Sequence, residues 1–146
     1  MFEFENTVFI QRSPQDVFDV ITNPAKAVEW QSSSEAGEWT SDSPFGVGST
    51  WKAKIKFMGR DIESDMQITD WESPSLVSFK TLSGPIPMEA TNNLEPKDNG
   101  TLLTLNGKIE FGGFFKMAEG MAGKQVVKQV ENDNKTLKQL MESNQL

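Results

Sequence analysis

The chain has 146 residues, 36% hydrophobic and 24% charged, with a formal net charge of −7. That length and balance fit one globular domain spanning residues 1–146 rather than a disordered chain. The sequence has no Cys, His or Tyr. Disulfides, zinc-type sites and Ser–His or Cys–His nucleophiles are therefore excluded, and any proton transfer falls to Asp, Glu or Lys.

Twenty-one acids against 14 bases argue against a nucleic-acid partner, which needs a basic patch. No apolar run approaches the ~18 residues of a membrane span, so stable membrane insertion is not expected. The opening MFEFENTVFIQRS lacks a basic segment leading into an apolar stretch and does not read as a signal peptide. The expected location is cytoplasmic, and neither a metal nor a cofactor is expected.

Phe2, Phe4, Val8 and Ile10 lie on one side of a period-two stretch that predicts a first strand. Ser13-Pro14-Gln15-Asp16 then offers a cap, a proline at the first helical position and an acid near the positive end of the dipole. Asn23-Pro24 repeats the signal, predicting a second short helix over Pro24 to Val28. Trp39 falls on a second strand, followed by the turn-rich segment 41–48. Trp51, Ala53, Ile55 and Phe57 alternate with Lys52, Lys54 and Lys56, a strand with one dry and one wet face. A turn at Gly59-Arg60 leads back into Asp61 to Trp71, where Ile62, Met66 and Ile68 alternate with acids. The Lys row and the acidic row are expected to face each other across this hairpin. Strands follow over Leu76 to Leu82, Met88 to Leu94 and Thr101 to Ile109, the last pair joined at Asn99-Gly100. From Phe114 to about Glu142 the period becomes helical, with Val126, Val130, Leu137 and Met141 on one face.

One strand, two short helices, about six further antiparallel strands and a long terminal helix make an α+β layout. A twisted sheet with one apolar face curls, and only the long helix is large enough to cover it. Whether that arrangement encloses a cavity or a filled core is open at this level. The sequence also resembles the START-like, or SRPBCC, superfamily, in its polyketide cyclase/dehydrase and lipid-transport branch. The resemblance rests on the segment from Ser13 to Pro24, on Trp30, on Ser43-Pro44-Phe45-Gly46-Val47-Gly48-Ser49, and on Leu94-Glu95-Pro96 followed by Gly100-Thr101. It implies a helix-grip fold: a curved antiparallel sheet of about seven strands around the C-terminal helix, holding a small apolar molecule.

Alternation places Trp51, Ile55, Phe57, Met66, Ile68, Phe79 and Leu103 toward that interior, with Ala53, Val77, Leu94, Leu105 and Ile109. Phe115, Met117, Ala118 and Met121 are expected to join them from the helix. Core packing competes with ligand contact at each. Asn92 is a candidate inward polar contact. Asp70, by parity with Met66 and Ile68, is the candidate catalytic carboxylate. Gly120 and Gly123 suggest either cavity access or flexing, or close approach of helix to sheet. Phe45-Gly46-Val47-Gly48 lacks the Lys-Ser/Thr and following helix of a phosphate loop. Three functions compete: a carrier for a lipid or polyketide-like metabolite, a cyclase/dehydrase-like enzyme, and a chaperone-regulator-like domain that docks on a protein partner.

Overall fold

A computed structural model describes residues 1–146. β1 (Phe2–Ile10) shows the expected alternation and ends at the fully buried Ile10. Ser13 Oγ accepts the Asp16 N–H at 3.2 Å and caps α1 (Pro14–Ile21), which buries Val17, Phe18 and Val20. The next helix, α2 (Ala27–Trp30), begins three residues later than the Asn23-Pro24 signal predicts. Asn23 Oδ1 accepts the Ala25 N–H at 3.1 Å, so this cap supports a turn rather than a helix start.

Seven strands form one antiparallel sheet: β1, then β2 (Ser34–Trp39), β3 (Thr50–Phe57), β4 (Arg60–Glu72), β5 (Leu76–Ser83), β6 (Met88–Lys97) and β7 (Gly100–Ile109). Their order in space is β1-β7-β6-β5-β4-β3-β2, so β1 and β2 are the two edges of a curled half-barrel. The β3–β4 hairpin pairs Lys52 with Asp65, Lys54 with Glu63 and Lys56 with Asp61. Ion pairs form at 3.3 Å (Lys52–Glu63) and 3.8 Å (Lys56–Asp61), as the alternating charges predict. The turn itself lies one residue earlier than expected, at Met58 and Gly59, both at positive φ. Asp98 and Asn99 likewise adopt φ of 47° and 62° between β6 and β7.

The helical C-terminus is interrupted. A short α3 (Phe114–Met117) and a long α4 (Glu119–Glu142) meet at Ala118, whose φ of −111° and ψ of 28° break the hydrogen-bond ladder expected to run unbroken from Phe114. The buried face of α4 carries Ala122, Gly123, Val126, Asp133, Asn134, Leu137 and Met141. Gly123 lies against the Phe2 ring so closely that an added Cβ would stand 2.7 Å from it, whereas Gly120 faces open space. Nearer its end, α4 is fastened to β1 by Lys138 Nζ donating to the Phe9 carbonyl at 2.6 Å, and to the residue just after β1 by Glu142 accepting the Gln11 N–H at 2.8 Å. No helix is long and apolar enough to cross a membrane.

Candidate ligand-binding cavity

Two consecutive residues of α4 tie it to β1 on one side and to the α2–β2 connection on the other. Asn134 Nδ2 donates to Asn6 Oδ1 on β1 at 2.7 Å. Asp133 Oδ1 accepts both the backbone N–H and the hydroxyl of Ser32, each at 3.0 Å, on the segment joining α2 to β2. Between these two attachments the sheet curls as a half-barrel beside α4. Two inward side chains there are also small, Ala53 and Ser64, register neighbours on β3 and β4; Gly37, beside Ala53 on β2, is instead covered by Pro24. Curvature and missing side-chain volume leave a cavity of about 300 Å³, bounded by 37 residues of which 24 are hydrophobic. That lies at the small end of ligand-pocket volumes. Trp51, Ala53, Ile55 and Phe79 point inward yet are only half-buried, as expected for the wall of a hollow rather than a filled core.

An aromatic run lines one side. Phe45 stacks on Trp39 at 4.1 Å, Trp39 meets Trp51 edge-on at 5.8 Å, and Trp51 meets Phe79 at 5.5 Å. The turn-rich segment 41–48 thus sets Phe45 against an aromatic wall of the cavity and holds no phosphate loop.

Of the residues singled out from sequence, Trp51, Ile55, Phe57, Met66, Ile68, Phe79, Asn92 and Leu103 are brought together around this space. Phe115 is buried behind the cavity wall, packing against Phe57 with ring centroids 5.5 Å apart, and does not itself line the cavity. Met117 and Met121 are 92% and 67% exposed and point away from it. Traced back in steps of three and four from Val126, the buried stripe passes through Ala122 and Phe115 and leaves both methionines on the solvent flank.

Asp70 is also misplaced by parity. The register between β4 and β5 shifts between Ile68 and Asp70, so Thr69 is an extra residue and the alternation inverts. Asp70 becomes exposed, while Trp71 turns inward to meet Phe18 edge-on at 5.0 Å. Asp70 sits instead in an outer concavity of about 620 Å³ with Glu3, Glu5, Lys80, Glu89 and Lys108. That concavity is larger but charged, and Lys108 pairs with Glu3 across its floor at 3.7 Å.

The carboxylate that does reach the cavity is Asp133, and it is the only ionisable group among the lining residues. It is 8% exposed. Burial raises its pKa above the usual carboxylate value, against the opposing pull of the two Ser32 hydrogen bonds. Both of those bonds reach Oδ1, leaving Oδ2 without a protein partner. Trp30 also lines the cavity, and its buried Nε1–H has no acceptor. A legible signal for Asp133 and Asn134 existed: two polar residues on the line joining Val126, Val130, Leu137 and Met141, where a purely structural stripe would be apolar.

The family model for polyketide cyclase / dehydrase and lipid transport matches residues 1–142. The chain belongs to that family. Among curated proteins, an uncharacterized protein of Mycobacterium tuberculosis is 31% identical over 77 residues, covering 53% of this chain and 44% of the relative. The match thus spans less than half the length of that relative. Three solved structures share the fold at low identity. They are TTHA0849 of Thermus thermophilus (TM-score 0.82, 18% identity, 94% of each chain); a START superfamily protein of Mycobacterium smegmatis (0.77, 11%, 97% of this chain and 99% of the other); and the Zhui aromatase/cyclase of Streptomyces sp. R1128 (0.74, 12%, 97% and 92%).

Proposed function

We propose that this protein binds a small, largely apolar molecule between sheet and α4, as a carrier or binding module. The observation supporting this is the 300 Å³ space with an apolar, aromatic-rich wall and half-buried inward side chains. Membership of a family described by polyketide cyclisation and lipid transport agrees with it. Native mass spectrometry of gently purified protein tests the reading. A co-purifying apolar adduct is expected, retained by wild type and lost in Phe79→Asp, which sets a charge in the aromatic wall. An adduct that persists in Phe79→Asp, or a cavity that accepts no apolar fluorophore, contradicts it.

One observation favours a second reading, a cyclase or dehydratase. Asp133 is a buried carboxyl with a raised pKa in a cavity, the kind of group that performs general acid–base work. Its catalytic signature would be a pH–rate profile with a single limb set by Asp133, removed by Asp133→Asn.

A further inference from the structure

The polar groups of the cavity are unevenly distributed. Among its lining residues there is no Lys and no Arg, and the single ionisable side chain is an acid. An anionic headgroup entering this space would meet no counter-charge and would lie in the field of Asp133, in surroundings where charges are poorly screened. A wholly apolar ligand would leave one hydrogen-bonding function of the lining unused, Asp133 Oδ2, which lacks a donor; the Trp30 Nε1–H also lacks an acceptor but is buried out of a ligand's reach. That oxygen belongs to the α2–α4 end of the cavity, since Ser32, which binds Asp133, follows Trp30, the last residue of α2, by two positions. A hydroxyl supplies what that oxygen lacks, a proton to accept.

We infer that the cavity selects neutral, hydroxyl-bearing apolar molecules over apolar carboxylates, and that Asp133 is the residue that sets this preference. The inference builds on the carrier reading and narrows its ligand class: alcohols and hydroxylated ring systems fit, whereas free fatty acids and anionic lipid headgroups are rejected. Asp133 has two roles here. Its Oδ1 closes the α2 segment onto α4 through Ser32, and its Oδ2 faces the ligand's polar end. The rejection depends on charge, the closure only on an acceptor oxygen, so Asp133→Asn separates them.

Competition against a neutral fluorophore, N-phenyl-1-naphthylamine, at pH 7.5 tests this with two eight-carbon chains, 1-octanol and octanoate. Wild type is expected to release the fluorophore at octanol concentrations about tenfold or more below those needed for octanoate. In Asp133→Asn, whose side-chain oxygen can still accept from Ser32, octanoate should gain and the ratio should fall to about threefold or less. Equal competition by both in wild type, or an undiminished ratio in Asp133→Asn, overturns the assignment. The wild-type ratio stands by itself if the variant folds poorly. Absence of fluorophore binding by wild type refutes the carrier reading and this inference with it. Fluorophore binding with equal octanol and octanoate competition refutes only the inference.

Discussion

Replacing Ala53 by Leu separates a hollow interior from a packed one by the sign of a stability change. Ala53 is one of the two small inward residues, beside Ser64, and its Cβ faces the cavity. Leu adds three carbons, each worth about 0.8 kcal/mol when removed from water, roughly 2.4 kcal/mol if all are fully buried. Ordering the longer side chain costs about 0.5–1 kcal/mol. Ala53 is half-buried, so incomplete desolvation trims the gain further, to about 1 kcal/mol net. For a chain of this size that raises Tm by roughly 3 °C. In a filled core the same insertion forces side chains off their rotamers and costs about 1–3 kcal/mol. Calorimetric melting of both proteins, with fluorophore titration on the same samples, gives the answer. Higher Tm together with binding weakened about tenfold or more is the expected pair of results. A Tm lowered by several degrees would show that side chains already occupy the space beside Ala53 and would refute the reasoning.

Asp133→Asn should stabilise the protein at neutral pH. The folded state binds the Asp133 proton more tightly than the unfolded chain, whose value is 3.8, so its stabilising contribution is complete below that value and lost as pH rises through the folded pKa. The variant's Tm advantage at pH 7 should shrink steadily in melts taken toward pH 4. Glu142 runs the other way, because the Gln11 N–H and Lys138 lower its pKa; its contribution is present above 4.5 and lost as pH falls through the folded value. Being an exposed group, it contributes on the order of 0.5 kcal/mol, and Glu142→Ala should lower Tm slightly at pH 7 and negligibly in strong acid. Two glycines of α4 should respond oppositely to Ala in denaturant titrations. Gly120→Ala gains a few tenths up to about 1 kcal/mol from helix propensity, since its Cβ meets nothing. Gly123→Ala loses stability because its Cβ would press on Phe2 and lift α4 off β1.

The elements that read clearly from sequence are those whose residues carry a local signal on both faces. Trp51 to Phe57 alternates with three lysines, so strand, register and inward face all follow, and the paired acids of β4 confirm them. Ser13-Pro14 encodes its own cap. Asn23-Pro24 resembles it, but its side chain closes a turn, and nothing local distinguishes the two outcomes. Asp70 is unreachable by alternation because one extra residue, Thr69, inverts the phase, and a bulge leaves no compositional mark in this stretch. The methionines are a different failure: they are expected to join the interior from the helix, whereas the helical stripe already excludes Met117 and Met121. Asp133 is a different case, a polar residue on an otherwise apolar line whose purpose shows only in the Ser32 contact and the Asn6 contact of its neighbour.

Diffraction from crystals held under xenon pressure probes the space itself, independently of any chosen ligand. A xenon peak within van der Waals reach of Ala53, Met66 and Ile68 is the expected result, since apolar cavities of this size take up such atoms. A map with no such peak, and with side chains of the middle strands meeting those of α4 throughout, would contradict the hollow interior on which the proposed function depends.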